Sequence, residues 1–252
     1  MRALVTNDDG IDSTGLRTLA QVATGAGLDV IVAAPDTEHS GSSASLTALE
    51  EGGKLLMHEK SLPGLDGVPA FGVEATPGFI AFAAAYGAFG PVPDLVLSGV
   101  NHGPNTGHAV LHSGTVGAAL TARTHGTSAL AVSCVSPDPV HWDTATEMAT
   151  RALGWLVENA GEDPLTLSVN VPDRPLADLR GLRLARLASF GAVQADLGET
   201  GEGYVTMTFR EVDEDLEPGT DAALLADGWA TVTSLAAPCE ADGVDLSALA
   251  DT

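Results

Sequence analysis

Two carboxylates stand side by side in Asn7-Asp8-Asp9-Gly10, immediately after the short apolar run Arg2–Thr6. At a strand end one of them aims into the crevice beyond the strand, and both reach it if the turn bends. Like charges this close repel unless a cation neutralises them. Hard oxygen donors of this kind suit Mg²⁺, Mn²⁺ or Ca²⁺ rather than zinc. The same residues also fit an ordinary turn whose Asp9 caps the next helix. What favours chemistry is their company. Pro35-Asp36-Thr37-Glu38-His39-Ser40-Gly41-Ser42-Ser43 follows a second apolar run, and Gly99-Val100-Asn101-His102-Gly103-Pro104-Asn105-Thr106-Gly107 follows a third. In a doubly wound parallel sheet, ligands bind beyond the carboxyl ends of the strands. Three strand ends therefore deliver oxygen donors and glycines, Ser40 and Asn101 among them, toward one crevice.

A further segment, Leu111-His112-Ser113-Gly114-Thr115-Val116-Gly117, opens a helix with Ser, Gly and Thr. Free backbone N–H groups at a helix start, with two hydroxyls beside them, form a cradle for a phosphate; plain N-capping by Ser113 accounts for the same residues. The Gly-x-Gly-x-x-Gly dinucleotide loop and the P-loop ending in Gly-Lys-Ser/Thr are both missing. So is the Gly-x-Ser-x-Gly elbow of α/β-hydrolases.

The elements that must position these groups are legible from periodicity. Arg2–Thr6, Leu28–Ala34, Ala70–Ala75, Asp94–Ser98 and Ser128–Val135 read as strands, the last buried on both faces. Ser13–Gly25, Pro77–Ala88, Gly114–Thr124 and Asp143–Asn159 read as helices between them. That alternation predicts a doubly wound, mostly parallel, Rossmann-like α/β sheet. Leu165–Val169 extends it. Beyond that, Gly181–Leu187, Tyr204–Arg210 and Trp229–Leu235 read as antiparallel pieces around the polar, Gly-rich stretch Gly191–Gly203. No linker splits the chain, so residues 1–252 are expected as one α/β domain, with about 181–252 as an antiparallel extension suited to dimerisation.

Composition narrows the partners. The chain has 252 residues with 34 acids against 11 bases, a formal net charge of −23, and its only lysines are Lys54 and Lys60. Such a field repels polyanions, which excludes nucleic acid and anionic membrane surfaces as partners. It also opposes a small phosphate unless a bound cation reverses the local sign; solubility or a salty habitat accounts for the same acidity. No apolar run approaches the ~18 residues of a membrane span. The start carries no signal-peptide pattern, and Cys134 and Cys239 are too few for a disulfide framework. A cytoplasmic location is expected.

Val5-Thr6-Asn7-Asp8-Asp9-Gly10-Ile11, Ala34-Pro35-Asp36 leading to Ser40-Gly41, Ser98-Gly99-Val100-Asn101-His102-Gly103-Pro104-Asn105, and His112-Ser113-Gly114-Thr115-Val116 together resemble the signature blocks of the SurE family. Val169-Asn170-Val171-Pro172, Pro218-Gly219-Thr220-Asp221 and Gly228-Trp229-Ala230-Thr231-Val232-Thr233 resemble that family's later blocks, so the resemblance spans nearly the whole chain, in order.

The resemblance implies a divalent-metal phosphatase of nucleoside 5′- and 3′-monophosphates, forming a homodimer or homotetramer with exchanged C-terminal arms. It implies one ion per subunit, Mg²⁺ or Mn²⁺ (Ca²⁺ in a crystal), held by Asp8, Asp9, Ser40 and Asn101. Asn105, Ser113, Gly114 and Thr115 would face the phosphate of a small nucleotide-like substrate. Asp8 and Asp9 are the catalytic candidates, with Asp8 preferred as general base because the Asp-x-Asp spacing of aspartyl-phosphate enzymes is absent. His112 and His102 are candidate general acids. Two departures bear on substrate preference: Ala44 where the family often carries Asn or His, and Ala75-Thr76-Pro77-Gly78-Phe79-Ile80 where it carries Gly-Thr-Pro-x-Asp-Cys. Phe79 fits a base-stacking surface or the core. Rival readings are a dedicated phosphatase of a secondary-metabolite pathway and a non-catalytic nucleotide or metal sensor.

Overall fold

A computed structural model describes residues 1–189, 193–201, 203–211, 216–236 and 238–239. Six parallel strands form its centre: β1 (Arg2–Thr6), β2 (Asp29–Pro35), β6 (Ala70–Val73), β7 (Leu95–His102), β8 (Ser128–Val135) and β9 (Thr166–Pro172). They lie side by side as β6-β2-β1-β7-β8-β9, so the chain winds one way from β1 to β6 and the other way from β7 to β9. Short strand β5 (Met57–Glu59) closes one margin antiparallel to β6. A two-residue pair, β3 (Glu50–Glu51) with β4 (Lys54–Leu55), stands apart from the sheet.

The strands are apolar on both faces because helices cover both. Along β1, Ala3 and Val5 enter one cluster and Leu4 the other. The first cluster receives Leu16 and Leu19 of α1 (Thr14–Gly25) and Leu153 and Leu156 of α4 (Trp142–Asn159). The second receives Ile80 of α2 (Pro77–Ala85) and Val116 of α3 (Gly114–Thr124). Phe79 packs partly buried against that cluster and beside Phe82, centroids 6.0 Å apart, as a core residue does. Ser13 caps α1 by accepting from Leu16 N, which fixes where the helix leaves the Asp8-Asp9 turn. Gly15 is obligatory by space, since a Cβ there would drive into the carbonyl of Val100.

The expected antiparallel extension is present, with one pairing to correct. Strand β10 (Leu182–Leu184) pairs parallel, not antiparallel, with β13 (Ala230–Ser234), while β13 runs antiparallel to β9. The chain passes β9, leaves a gap, lays down β10, and returns through a long crossover to insert β13 into the gap. A crossover of that length permits parallel pairing. It carries α5 (Asp221–Ala226) and a hairpin, β11 (Val193–Gly201) with β12 (Tyr204–Glu211). Val193–Gly201 of the polar, Gly-rich stretch is therefore strand, because ladder bonds come from the backbone. Residues 240–252 of the expected extension lie outside the described residues.

Asp173, just past β9, holds the loop after β8. Its carboxylate accepts from His141 N at 2.8 Å and from Val140 N at 3.2 Å, with His141 Nδ1 at 3.0 Å. Burial pushes this carboxyl up, but the His141 and Val140 bonds outweigh it and hold it below the ordinary range. A depressed carboxyl stabilises the fold above its unfolded pKa, and that contribution is lost as pH falls through the folded value. Denaturant melts from pH 7 to pH 3 should show the loss below about pH 4, and Asp173→Asn should remove this increment while lowering stability at pH 7. Gly15→Ala should lower the melting temperature at every pH.

Candidate active site

Strands β1 and β7 are neighbours from which the chain departs in opposite directions, so the crevice beyond their carboxyl ends is the topological switch point. Asp8 and Asp9 leave β1 there, Asn101 and His102 end β7, and α3 begins beside them. A register irregularity between Ser98 and Asn101 re-aims the end of β7.

Asp8 is 3% exposed. The Thr115 hydroxyl donates to its Oδ1, and the amides of Asp8, Thr115 and Gly114 lie close enough to its carboxylate to lower its pKa. It thus sits on the N-terminus of α3, where backbone donors and the helix dipole favour an anion. Glycine at 114 is what allows the approach: a Cβ there would lie 2.8 Å from Asp8 Oδ2 and 2.7 Å from Ser42 Oγ. Burial pushes the Asp8 carboxyl above the ordinary range, the Thr115 hydroxyl and the amides pulling it part of the way back.

Asn101 joins this group. Its Nδ2 donates to Gly103 O at 2.9 Å, which turns Oδ1 toward Thr115 Oγ1 at 3.2 Å. A hydroxyl has one proton, and the contact with Asp8 is the shorter, so Asn101 Oδ1 keeps its lone pairs for another partner.

Asp9 is pushed up to about 6, first by burial and then by the charge of Asp8. The ring and backbone N–H of His102 pull it down in part. Its Oδ2 is buried without a hydrogen-bond partner. Adjacent carboxylates that resist ionisation, an orphaned carboxylate oxygen and a free amide oxygen are the signs of a hard-cation site. Among the described residues no three His, Cys, Asp or Glu side chains form a metal cluster. The donors here are two carboxylates and neutral oxygens, a set that fits Mg²⁺, Mn²⁺ or Ca²⁺.

Ser40 is exposed and donates to Glu38 Oε1 at 2.7 Å. It lines a crevice of about 670 Å³ with Asp9, Asp12, Asp36, Glu38 and His102. Ser42, not singled out from sequence, sits against Gly114 beside Asp8, its hydroxyl buried and unpartnered. The loop reaches that position through anchors at both ends: His39 N donates to Asp8 O at 2.7 Å, and Ser43 Oγ to Leu111 O at 2.6 Å.

The four residues expected to face phosphate lie along this edge with their atoms already engaged. The Gly114 and Thr115 amides point at Asp8. Ser113 Oγ accepts from Val116 N at 3.1 Å as the α3 cap, its proton remaining free. Asn105 Nδ2 donates to Ser133 Oγ at 2.8 Å, while Asn105 and Asn170 exchange two bonds of 2.8 and 2.9 Å. The two histidines separate. The His112 side chain is exposed. His102 lines the crevice with Asp9, rests 5.6 Å from the Trp142 ring, and buries an unpartnered Nε2. Asn170 stands in one of the resembling blocks, but its partner Asn105 lies 65 positions away, and Ser133 and Trp142 come from other elements, so nothing local marks their roles.

Known proteins resemble the chain over nearly its whole length. Residues 3–192 match the family model described as survival protein SurE. The chain is 36% identical over 239 residues to the 5′-nucleotidase SurE of Aeromonas hydrophila subsp. hydrophila, covering 93% of this chain and 92% of that protein. It is 35% identical over 238 residues to the 5′/3′-nucleotidase SurE of Proteus mirabilis, covering 93% and 89%. The crystal structure of the SurE protein from Aquifex aeolicus superposes with a TM-score of 0.77 at 26% identity, covering 94% of this chain and 93% of that one. With the fold, the ordered blocks and relatives matched over nearly their whole length in agreement, the chain belongs to the SurE family.

Proposed function

We propose that this chain is a divalent-metal-dependent phosphomonoesterase that hydrolyses nucleoside 5′- and 3′-monophosphates to nucleoside and phosphate. The observation that carries the reading is the convergence of Asp8, Asn101 and Thr115 at the switch point, in a chain whose relatives are named as nucleotidases. Asp8, Asp9 and Asn101 would hold Mg²⁺ or Mn²⁺, with Ser40 or Ser42 as further oxygen donors from the adjoining loop. When bound, such an ion supplies Lewis-acid polarisation of a phosphoryl oxygen and a more acidic water.

The chain's own groups do the rest. Asp8, fixed in orientation by Thr115 and the start of α3, accepts the proton of the attacking water. Ser113, with its hydroxyl proton free, and Asn105, with a second amide proton, bind phosphoryl oxygens from the β7–α3 side. His102 is favoured over His112 as the acid for the leaving oxygen, because it lines the crevice beside Asp9. We also infer a homodimer or homotetramer assembled through about 181–252. The β11–β12 hairpin supports this: Tyr204, Val205 and Met207 are more than half exposed, and a two-stranded sheet is marginal alone. Two unpaired thiols suit a reducing, cytoplasmic setting.

Phosphate release from a panel of nucleoside 5′- and 3′-monophosphates, with and without Mg²⁺ or Mn²⁺, tests the reading. Turnover should require the metal, and Asp8→Asn should lower it about 10²-fold or more. Undiminished turnover in Asp8→Asn, or none on the whole panel by wild type, would contradict it. Gly114→Ala, which forces a methyl against Asp8, should lower kcat at least about 10-fold while circular dichroism stays that of a folded α/β protein.

A further inference from the structure

The segment from Gly103 to Ser113 carries Asn105 at one end and delivers α3 at the other, so its placement decides the geometry of the phosphate-facing side. It is tied down at widely separated points. Gly103 N donates to Cys134 O at 2.8 Å, at the end of β8. Asn170 on β9 forms a reciprocal pair with the Asn105 backbone, accepting from N at 2.8 Å and donating to O at 2.9 Å. Two residues on, Gly107 N donates to Asp221 Oδ2 at 2.8 Å.

Asp221 is unlike an ordinary first-turn acid. It is 1% exposed, and its other oxygen accepts from Ala188 N at 3.0 Å and Ala222 N at 2.8 Å. Its own N donates to Arg186 O at 2.8 Å, so the start of α5 is locked to the chain leaving β10. The carboxylate is shared: one oxygen secures the C-terminal segment to itself, and the other reaches back 114 residues to the segment that carries Asn105. A residue serving only α5 would need neither that burial nor the Gly107 bond.

We propose that Asp221 and Asn170 are positioning residues for catalysis, a two-point clamp that sets Asn105, and through Asp221 makes the C-terminal segment part of the active-site support. This rests on the reading of Asn105 as a phosphate-facing group. Neither clamp residue touches substrate; both act through the backbone of residues 105–107. A displacement of about 1 Å at a reacting group costs up to about 10²-fold in rate, so the clamp acts on kcat more than on KM.

The test is a double-mutant cycle on the whole chain with the best nucleoside monophosphate of the panel, assayed well below each variant's melting midpoint. Asp221→Asn keeps the size of the side chain but sets an amide N–H₂ where one of its oxygens accepted. Asn170→Asp removes the donor to Asn105 O and serves if the first variant fails to fold. Each should lower kcat about 10- to 100-fold with KM changed less than about threefold. In an Asn105→Ala background either should cost less than about twofold further, because residues acting as one unit are not additive. Losses that multiply independently, or a kcat unchanged by both clamp variants, would overturn the proposal. Wild-type kcat in Asn105→Ala alone would instead remove the reading of Asn105 on which it stands.

Discussion

A carboxylate lodged against the first turn of a helix organises this molecule. Asp8 is almost wholly buried, yet it is surrounded by donors: the Thr115 hydroxyl and the amides of Thr115, Gly114 and Asp8 itself. Burial alone would cost a carboxylate several kcal/mol, and the amides and dipole at the start of α3 offset part of that cost. The arrangement works only if nothing intervenes. That requires glycine at 114, the loop after β2 held through His39 by the Asp8 carbonyl, and the end of β7 turned so that Asn101 meets Thr115. Strand order, helix start and loop anchors are all consequences of bringing β1, β7 and α3 to one point.

The surroundings make a cation the natural complement. Asp9, Asp12, Asp36 and Glu38 line the adjoining crevice, with Lys60 and His58 reaching Asp36 at 3.9 and 2.8 Å. A phosphate entering this field meets more negative than positive charge from side chains, so attraction must come from an ion and from oriented amides and hydroxyls. Cys134 plays no part in this: burial first, then the charge of Asp173, pushes its thiol up to about 12, leaving it a small apolar core residue.

Much of this was legible in the sequence, for physical reasons that also mark where legibility ended. Apolar runs separated by helical periods gave the parallel strands and all four principal helices within a few residues, because burial on both faces and helix caps such as Ser13 leave local traces. Asp8, Asp9 and Asn101 were visible because strand ends in such a sheet point to one edge. The serine loop was harder: Ser40, Ser42 and Ser43 are chemically alike, and the left-handed turn at Ser43 that sends the chain back toward α3 has no glycine to announce it. Asn170 and Asp221 bond backbone atoms 65 and 114 positions away. No periodicity encodes such contacts, and the parallel pairing of β10 with β13 was hidden by the same long crossover.

Locating the cation in crystals grown with Mn²⁺, by its anomalous scattering, tests the central claim most directly. One peak per subunit is expected at coordination distance, about 2–2.5 Å, from carboxylate oxygens of Asp8 and Asp9 and from Asn101 Oδ1. A peak bound elsewhere with this edge vacant, or a fully ordered site without Asp8 in contact, would contradict it.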